Sequence, residues 1–279
     1  MAITKFIPTI WSENLIRSLD HEYIGVAHCN REYEGEIKSC GSTVKICGIG
    51  NVTIRDYNKN NDMDTPQELS DTVCTLTIDQ ARCFNFQIDD IDRAQTTPKL
   101  MEAAMSVAAK GLAEQADRYV YSLYSQAKHT IYQEEATPDT IWDAIFSARE
   151  KLFENGVSDP SQVVFEVSPA IASMIMRAKI SAYHDNDEIF ENGFLGSVAG
   201  CRIYVSNNVV VDKSSGSNFK NQCIMRTRRA VAFAEQLSEI EAYRPEKRFA
   251  DAVKGLHLYG AAIVCPDEYI RIELGSPAI

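Results

Sequence analysis

The apolar positions change period several times along the chain. In TIWSENLIRSLD, 9–20, Trp11, Leu15, Ile16 and Leu19 recur at helical spacing behind Pro8. This predicts a short amphipathic helix standing alone near the N-terminus. GSTVKICGIGNVTIRDYN, 41–58, switches to alternation, with Val44 and Ile46 on one face and Val52 and Ile54 on another. A second alternating run covers 72–88. In its first part, TVCTLTIDQ, Val73, Thr75 and Thr77 take one side and Cys74, Leu76 and Ile78 the other. The polar NKNNDMDTPQELSD between the runs reads as a turn or tip. The two runs predict a long ribbon with too few apolar residues for a core of its own. A two-stranded ribbon is marginal alone in water, so this one needs a partner surface.

The longest predicted element is a helix over 96–127. Thr97 stands at its N-cap and Pro98 at its first turn. Leu100, Met101, Ala104, Met105, Ala108, Leu112, Ala116, Tyr119, Val120 and Leu123 form its apolar half. Lys99, Glu102, Lys110, Glu114 and Asp117 fall opposite. Gly111 falls on the predicted buried side, where close approach of another backbone would account for it. From 137 to 211 helix and strand alternate, which predicts a compact α/β unit. A helix runs from Thr137 and Pro138 to a stop at Gly156, with Ile141, Trp142, Ile145, Leu152 and Phe153 on its apolar side. The strand QVVFEV, the helix SPAIASMIMRAKI and the strand CRIYVSNNV follow. A loop over 212–221 leads to strand-rich chain, and 251–266 reads as a strand pair joined near Gly255 or Gly260.

Composition narrows the class. The chain has 279 residues, 45% hydrophobic and 24% charged, which suits a globular protein with a sizeable core and excludes the disordered classes. Lys plus Arg number 28 against 39 Asp plus Glu, a net charge of -11, which argues against tight DNA wrapping. No basic cluster followed by an apolar run suggests a secretory leader, and no stretch approaches ~18 apolar residues, so no membrane is expected. The eight cysteines are scattered with no Cys-x-x-Cys pair and read as reduced thiols.

Candidate chemistry is sparse. Asp89, Asp90 and Asp92 form a carboxylate cluster of the kind that holds Mg²⁺ in a metal-dependent enzyme. Carboxylates between a strand and a helix N-terminus also serve as caps, and that is the reading adopted. The five histidines show no metal-ligand spacing. GFLGSVAG, 193–200, lacks the Lys-Ser/Thr of a phosphate loop. MRTRRAVA holds Arg226, Arg228 and Arg229, a cluster that is either solvated or paired with acids, or else meets a neighbouring subunit or a phosphate. No catalytic constellation and no cofactor or metal site emerges, so the chain is not expected to be an enzyme. The arm and ribbon point instead to oligomerisation.

Several phrases, in order along nearly the whole chain, resemble a tailed-phage major capsid protein of the HK97-like fold. They are PTIWSENLIRSL at 8–19, REYEGEIKSCGSTVKICGIGNVTIRDY at 31–57, LTIDQARCFNFQIDDIDRAQ at 76–95, GSVAGCRIYVSNNV at 196–209 and AVAFAEQLSEIEAYRPEKRFADAVKGLHLYGAAIV at 230–264. The resemblance implies an α+β fold with an N-arm over 1–34 and an extended β-hairpin E-loop over 35–80. It implies a P-domain from 81–136 and 229–279, with spine helix 97–127, and an α/β A-domain over 137–228. It implies self-assembly through pentamers and hexamers into an icosahedral shell enclosing double-stranded DNA, in a virion assembled in the host cytoplasm. Implied partners are other copies of the chain, a portal protein and the packaged DNA, touched weakly and without sequence preference. Because the arm begins almost at Met1, a separate scaffolding protein is expected rather than a long processed segment. Trp11, Arg55, Asp56, Lys59, Arg228 and Arg229 are the expected inter-subunit contacts, and Gly111 an expected hinge. Lys59 is a weak candidate for covalent cross-linking, and a Cys47–Cys74 pairing depends on ribbon register. An encapsulin-like compartment shell, which shares the fold, is the alternative.

Overall fold

The computed structural model describes residues 15, 18–19, 22–33, 43–49, 71–89, 100–182, 194–198, 200–214, 218–247 and 249–277. In chain order the strands and helices are β1 (Thr43–Ile49), β2 (Asp71–Thr77), β3 (Gln80–Asp89), α1 (Leu100–Ser122), β4 (His129–Gln133), α2 (Ile141–Glu154), β5 (Val163–Val167), α3 (Pro169–Ala182), β6 (Phe194–Val198), β7 (Cys201–Val205), β8 (Val211–Asp212), β9 (Asn218–Thr227), β10 (Val231–Tyr243), β11 (Ala250–Ile263) and β12 (Tyr269–Pro277). They form a β1–β2 ribbon, a three-stranded sheet ordered β10-β11-β3 and a seven-stranded sheet ordered β4-β12-β9-β5-β7-β6 with β8 on β9.

The ribbon's alternation is as expected. Val44, Ile46, Leu76 and Ile78 are buried and Lys45, Thr75 and Thr77 exposed. Its buried face, however, lies on the chain's own Ala232, Ala234 and Leu258, so the base of the ribbon is anchored internally. Arg55, Asp56 and Lys59, in the segment expected to reach a neighbour, lie outside the described residues. The register sets Cys47 opposite Val73 and Cys74 opposite Ile46, so the two cysteines are not a facing pair.

The alternating run 72–88 divides at Ile78 and Asp79. Its second half, β3, pairs with β11 from Asp89↔Ala250 to Gln80↔Tyr259. β11 is one continuous strand through Gly255 and Gly260, not the expected strand pair. The glycines serve close approach rather than a turn. A Cβ at Gly260 would lie 2.1 Å from the Thr77 carbonyl oxygen, where the chain crosses from β2 to β3, and one at Gly255 would lie 2.4 Å from the Phe84 ring.

The long helix forms, but its buried face is rotated from the predicted one. Met105, Ala109, Leu112, Ala113, Ala116, Val120 and Tyr121 are buried. Asp117, expected on the solvent side, is also buried, because it turns toward peptide groups of the N-terminal segment. Gly111 is exposed, and a Cβ added there would meet nothing within 4 Å. The expected close approach at Gly111 is therefore corrected.

In the seven-stranded sheet, α2 and α3 cover one face. Ile145, Leu152, Ile171 and Ile175 meet Phe165, Ile203, Met225 and Ile272 there. α2 ends as expected at Gly156, whose φ of +90° disfavours any side chain. Ile224 and Tyr269 belong instead to the core built on α1 and the N-terminal segment. β12 inserts between β4 and β9. GFLGSVAG contributes β6, Phe194–Val198, which pairs antiparallel with β7. Among the described residues no helix is long and apolar enough to cross a membrane.

Candidate functional site

A buried polar constellation holds the N-terminal segment 22–33 against the body. Local sequence explains how this strap lies flat. Tyr23, Val26 and Cys29 are buried beside α1, and a 3-10 turn, Val26–His28, spaces them. Gly25 presses on Tyr121, with 2.9 Å between a hypothetical Cβ and the ring. Asn30 then bridges to Ala232, accepting from Phe233 N at 2.9 Å and donating to Val231 O at 2.8 Å.

Side chains from two elements grip the strap's peptide groups, and a third element braces one of them. From α1, the Asp117 carboxylate accepts from Ile24 N at 3.0 Å and Val26 N at 2.9 Å. Burial pushes its pKa up to about 6, against the pull of those amides. From β9, fully buried Arg226 donates to Gly25 O at 2.8 Å and His28 O at 2.9 Å. Its other edge meets fully buried Glu166 of β5 in a two-pronged pair, both distances 2.9 Å. Burial works to raise the Glu166 pKa, but the Arg226 charge holds it below the ordinary carboxylate value. His28 Nδ1 approaches the same carboxylate at 3.5 Å, and its ring lies on Tyr204.

On β10, Glu235 gathers the strap's flanks. It accepts from Tyr23 Oη and Arg31 Nη2, each at 2.5 Å, and lies 2.8 Å from His257 Nε2 of β11. Burial opposes ionisation of Glu235, yet the His257 contact and the other partners keep its pKa low. The burial of Cys29 in the strap raises its thiol to about 11, which leaves it inert at neutral pH.

The residues expected from sequence are placed differently. Trp11, Arg55, Asp56 and Lys59 lie outside the described residues, as do Asp90 and Asp92. Asp89 ends β3, opposite Ala250. No group of three or more metal-ligating side chains occurs among the described residues. Arg228 donates to Cys29 O at 3.3 Å. Arg229, largely exposed, pairs with Glu268, which also accepts from Thr227. The MRTRRAVA cluster thus divides between a buried clamp and a surface ion pair. Sequence reading missed Asp117, Glu166, Glu235 and His257. One signal was available: Glu166 is the lone charge in VVFEV, a strand buried at every position, and a charge in such a strand demands a partner.

No protein-family model and no curated protein matches the sequence. Solved structures do. One from Mycobacterium phage Che8 matches with a TM-score of 0.70 at 25% identity, over 90% of each chain. The capsid structure of cyanophage P-SCSP1u matches at 0.68 and 15% identity, over 88% of this chain and 86% of that one. The holo-SrpI encapsulin complex from Synechococcus elongatus matches at 0.60 and 10% identity, over 85% and 83%. The fold class is that of capsid and compartment shells. More particularly, the chain has the HK97-like fold of tailed-phage major capsid proteins.

Proposed function

We propose that the chain is the major capsid subunit of a tailed phage. It assembles through pentamers and hexamers into an icosahedral shell around double-stranded DNA and performs no catalysis. The observation that carries this reading is the likeness to phage structures over most of the chain, 90% of it for the Mycobacterium phage Che8 structure and 88% for the cyanophage P-SCSP1u capsid. An exposed apolar stripe on α2 supports it. Phe146 is 54% and Phe153 53% exposed, and Trp142 lies against Phe146. A second copy of the chain is the proposed cover. The net charge of -11 suits a wall along which packaged DNA moves without being held by its phosphates.

In this reading 1–34 is the N-arm, 35–80 the E-loop, 97–127 the spine helix, and the seven-stranded sheet the heart of the A-domain. Trp11, Arg55, Asp56 and Lys59, with Arg228 and Arg229, are the proposed inter-subunit contacts. Gly111 is a proposed hinge between ring environments. A separate scaffolding protein and a portal protein are the proposed partners, and the virion capsid, assembled in the host cytoplasm, is the proposed location. An encapsulin-like compartment is the second reading, favoured by the SrpI likeness.

Size decides the question. The chain is expressed alone and with candidate scaffolding proteins, then examined by sedimentation and negative-stain electron microscopy. Shells, tubes or rings of five or six support the capsid reading. Shells filled with a host protein favour the compartment. A monomer under every condition overturns both.

A further inference from the structure

The strap 22–33 touches three bodies at once. Asp117 holds it to α1, Arg226 to the seven-stranded sheet, and Asn30 and Glu235 to the three-stranded sheet. The two sheets are also joined in sequence by two short connectors, 228–230 between β9 and β10 and 264–268 between β11 and β12, and by 90–128, which carries α1; α1 packs on Ile224 and Tyr269 of one sheet and on Phe233 and Tyr259 of the other. We infer that the strap is a detachable keystone: seated, it holds the two sheets at one angle, and unseated, it frees them to take another. This inference does not rest on the capsid reading.

The chemistry of the grip carries it. Several of the strap's holds are made to its peptide groups, at Ile24 N, Val26 N, Gly25 O, His28 O and Cys29 O. Peptide groups exchange such partners for water at small net cost. On the body side, Arg226 is paired in two-pronged fashion with Glu166, and neither residue belongs to the strap. Detachment therefore strands neither of those two charges. Tyr23, Val26 and Cys29 are the buried apolar anchors, with Tyr33 partly buried on the ribbon-base core, a small number for a segment that spans three bodies. Gly25 lies flush on Tyr121 with no side chain to extract.

Hydrogen exchange read by mass spectrometry tests this on the full chain. Two variants weaken the grip, Asp117→Asn and the double change Arg226→Met with Glu166→Met. Peptides covering 22–33 are expected to exchange about tenfold faster or more. Peptides covering 228–230 and 264–268 are expected to follow, while the interiors of α2 and β11 keep their protection. Faster strap exchange with unchanged connectors would make the strap a passive cover and overturn the inference. So would unchanged strap exchange in both variants, or a simultaneous loss of protection in every element, which would make the strap an inseparable part of the core. Shell assembly is not needed for the measurement, so its failure would leave this result standing.

Discussion

At the scale of single residues, the buried pair Arg226–Glu166 is a specificity device more than a source of stability. Burying two charges costs about as much as their attraction returns, whereas breaking one partner strands the other. Arg226→Met alone is expected to lower unfolding stability by about 3–5 kcal/mol. Adding Glu166→Met is expected to recover most of that loss in a denaturant titration. Asp117 yields a pH signature. Its pKa rises from 3.8 to about 6 on folding, so the folded state takes up a proton there. The associated stability is present in full below pH 4 and is lost as pH rises through about 6, roughly 3 kcal/mol at 1.36 kcal/mol per unit. Glu166 and Glu235 act with the opposite sign. Their depressed values contribute stability above the ordinary 4.5 that is lost as pH falls through their lower folded values. The groups facing Asp117 are Glu166 from the sheet, Tyr121 from α1, and Tyr23 and Cys29 from the strap. Comparing wild type with Asp117→Asn isolates its share. The stability difference, wild type minus variant, is expected to fall between pH 4 and pH 7, and a flat difference would contradict the assignment.

At the scale of elements, the glycines separate packing from conformation. Gly260→Ala places a Cβ against the Thr77 backbone, which cannot swing aside. It is expected to cost about 1–3 kcal/mol and to loosen the ribbon base. Gly111→Ala meets open space in an exposed stretch of helix. It is expected to add about 0.5–1 kcal/mol to the isolated chain, read as a higher denaturation midpoint. If the same variant also assembles normally, the proposed hinge at Gly111 falls. The ribbon carries a related lesson. Its alternation is plain from sequence, but alternation names an apolar face without naming what covers it. Ala232 and Ala234, which do so, lie more than 150 residues away in sequence.

At the scale of the whole molecule, Phe146 and Phe153 make a half-exposed apolar stripe on α2, where the Arg149 guanidinium lies 3.9 Å from the centre of the Phe153 ring. Phe146→Asp with Phe153→Asp is expected to leave the melting temperature within a few degrees of wild type, since both rings are half exposed. The same double variant is expected to shift sedimentation from assembled particles toward single subunits. A variant that assembles normally would place the inter-subunit contact elsewhere.

Local periodicity was enough to find the strands β1 and β2 of the ribbon base, the long helix, the α2–β5–α3 succession and the stop at Gly156. Each depends on side-chain spacing within a few residues, where backbone geometry sets the period. Two kinds of feature needed the folded chain. One was the assignment of strands to sheets, as where β12 enters the seven-stranded sheet instead of staying with β10 and β11. Pairing partners there are separated by tens of residues, and strand propensity is the same in either sheet. The other was the clamp on the strap. Asp117 has the spacing of a solvent-facing helix residue and Arg226 the look of one member of a surface cluster. Only the tertiary structure brings them to the peptide groups of Ile24, Gly25, Val26 and His28, because buried charges are placed by the partners that compensate them and not by their neighbours in sequence.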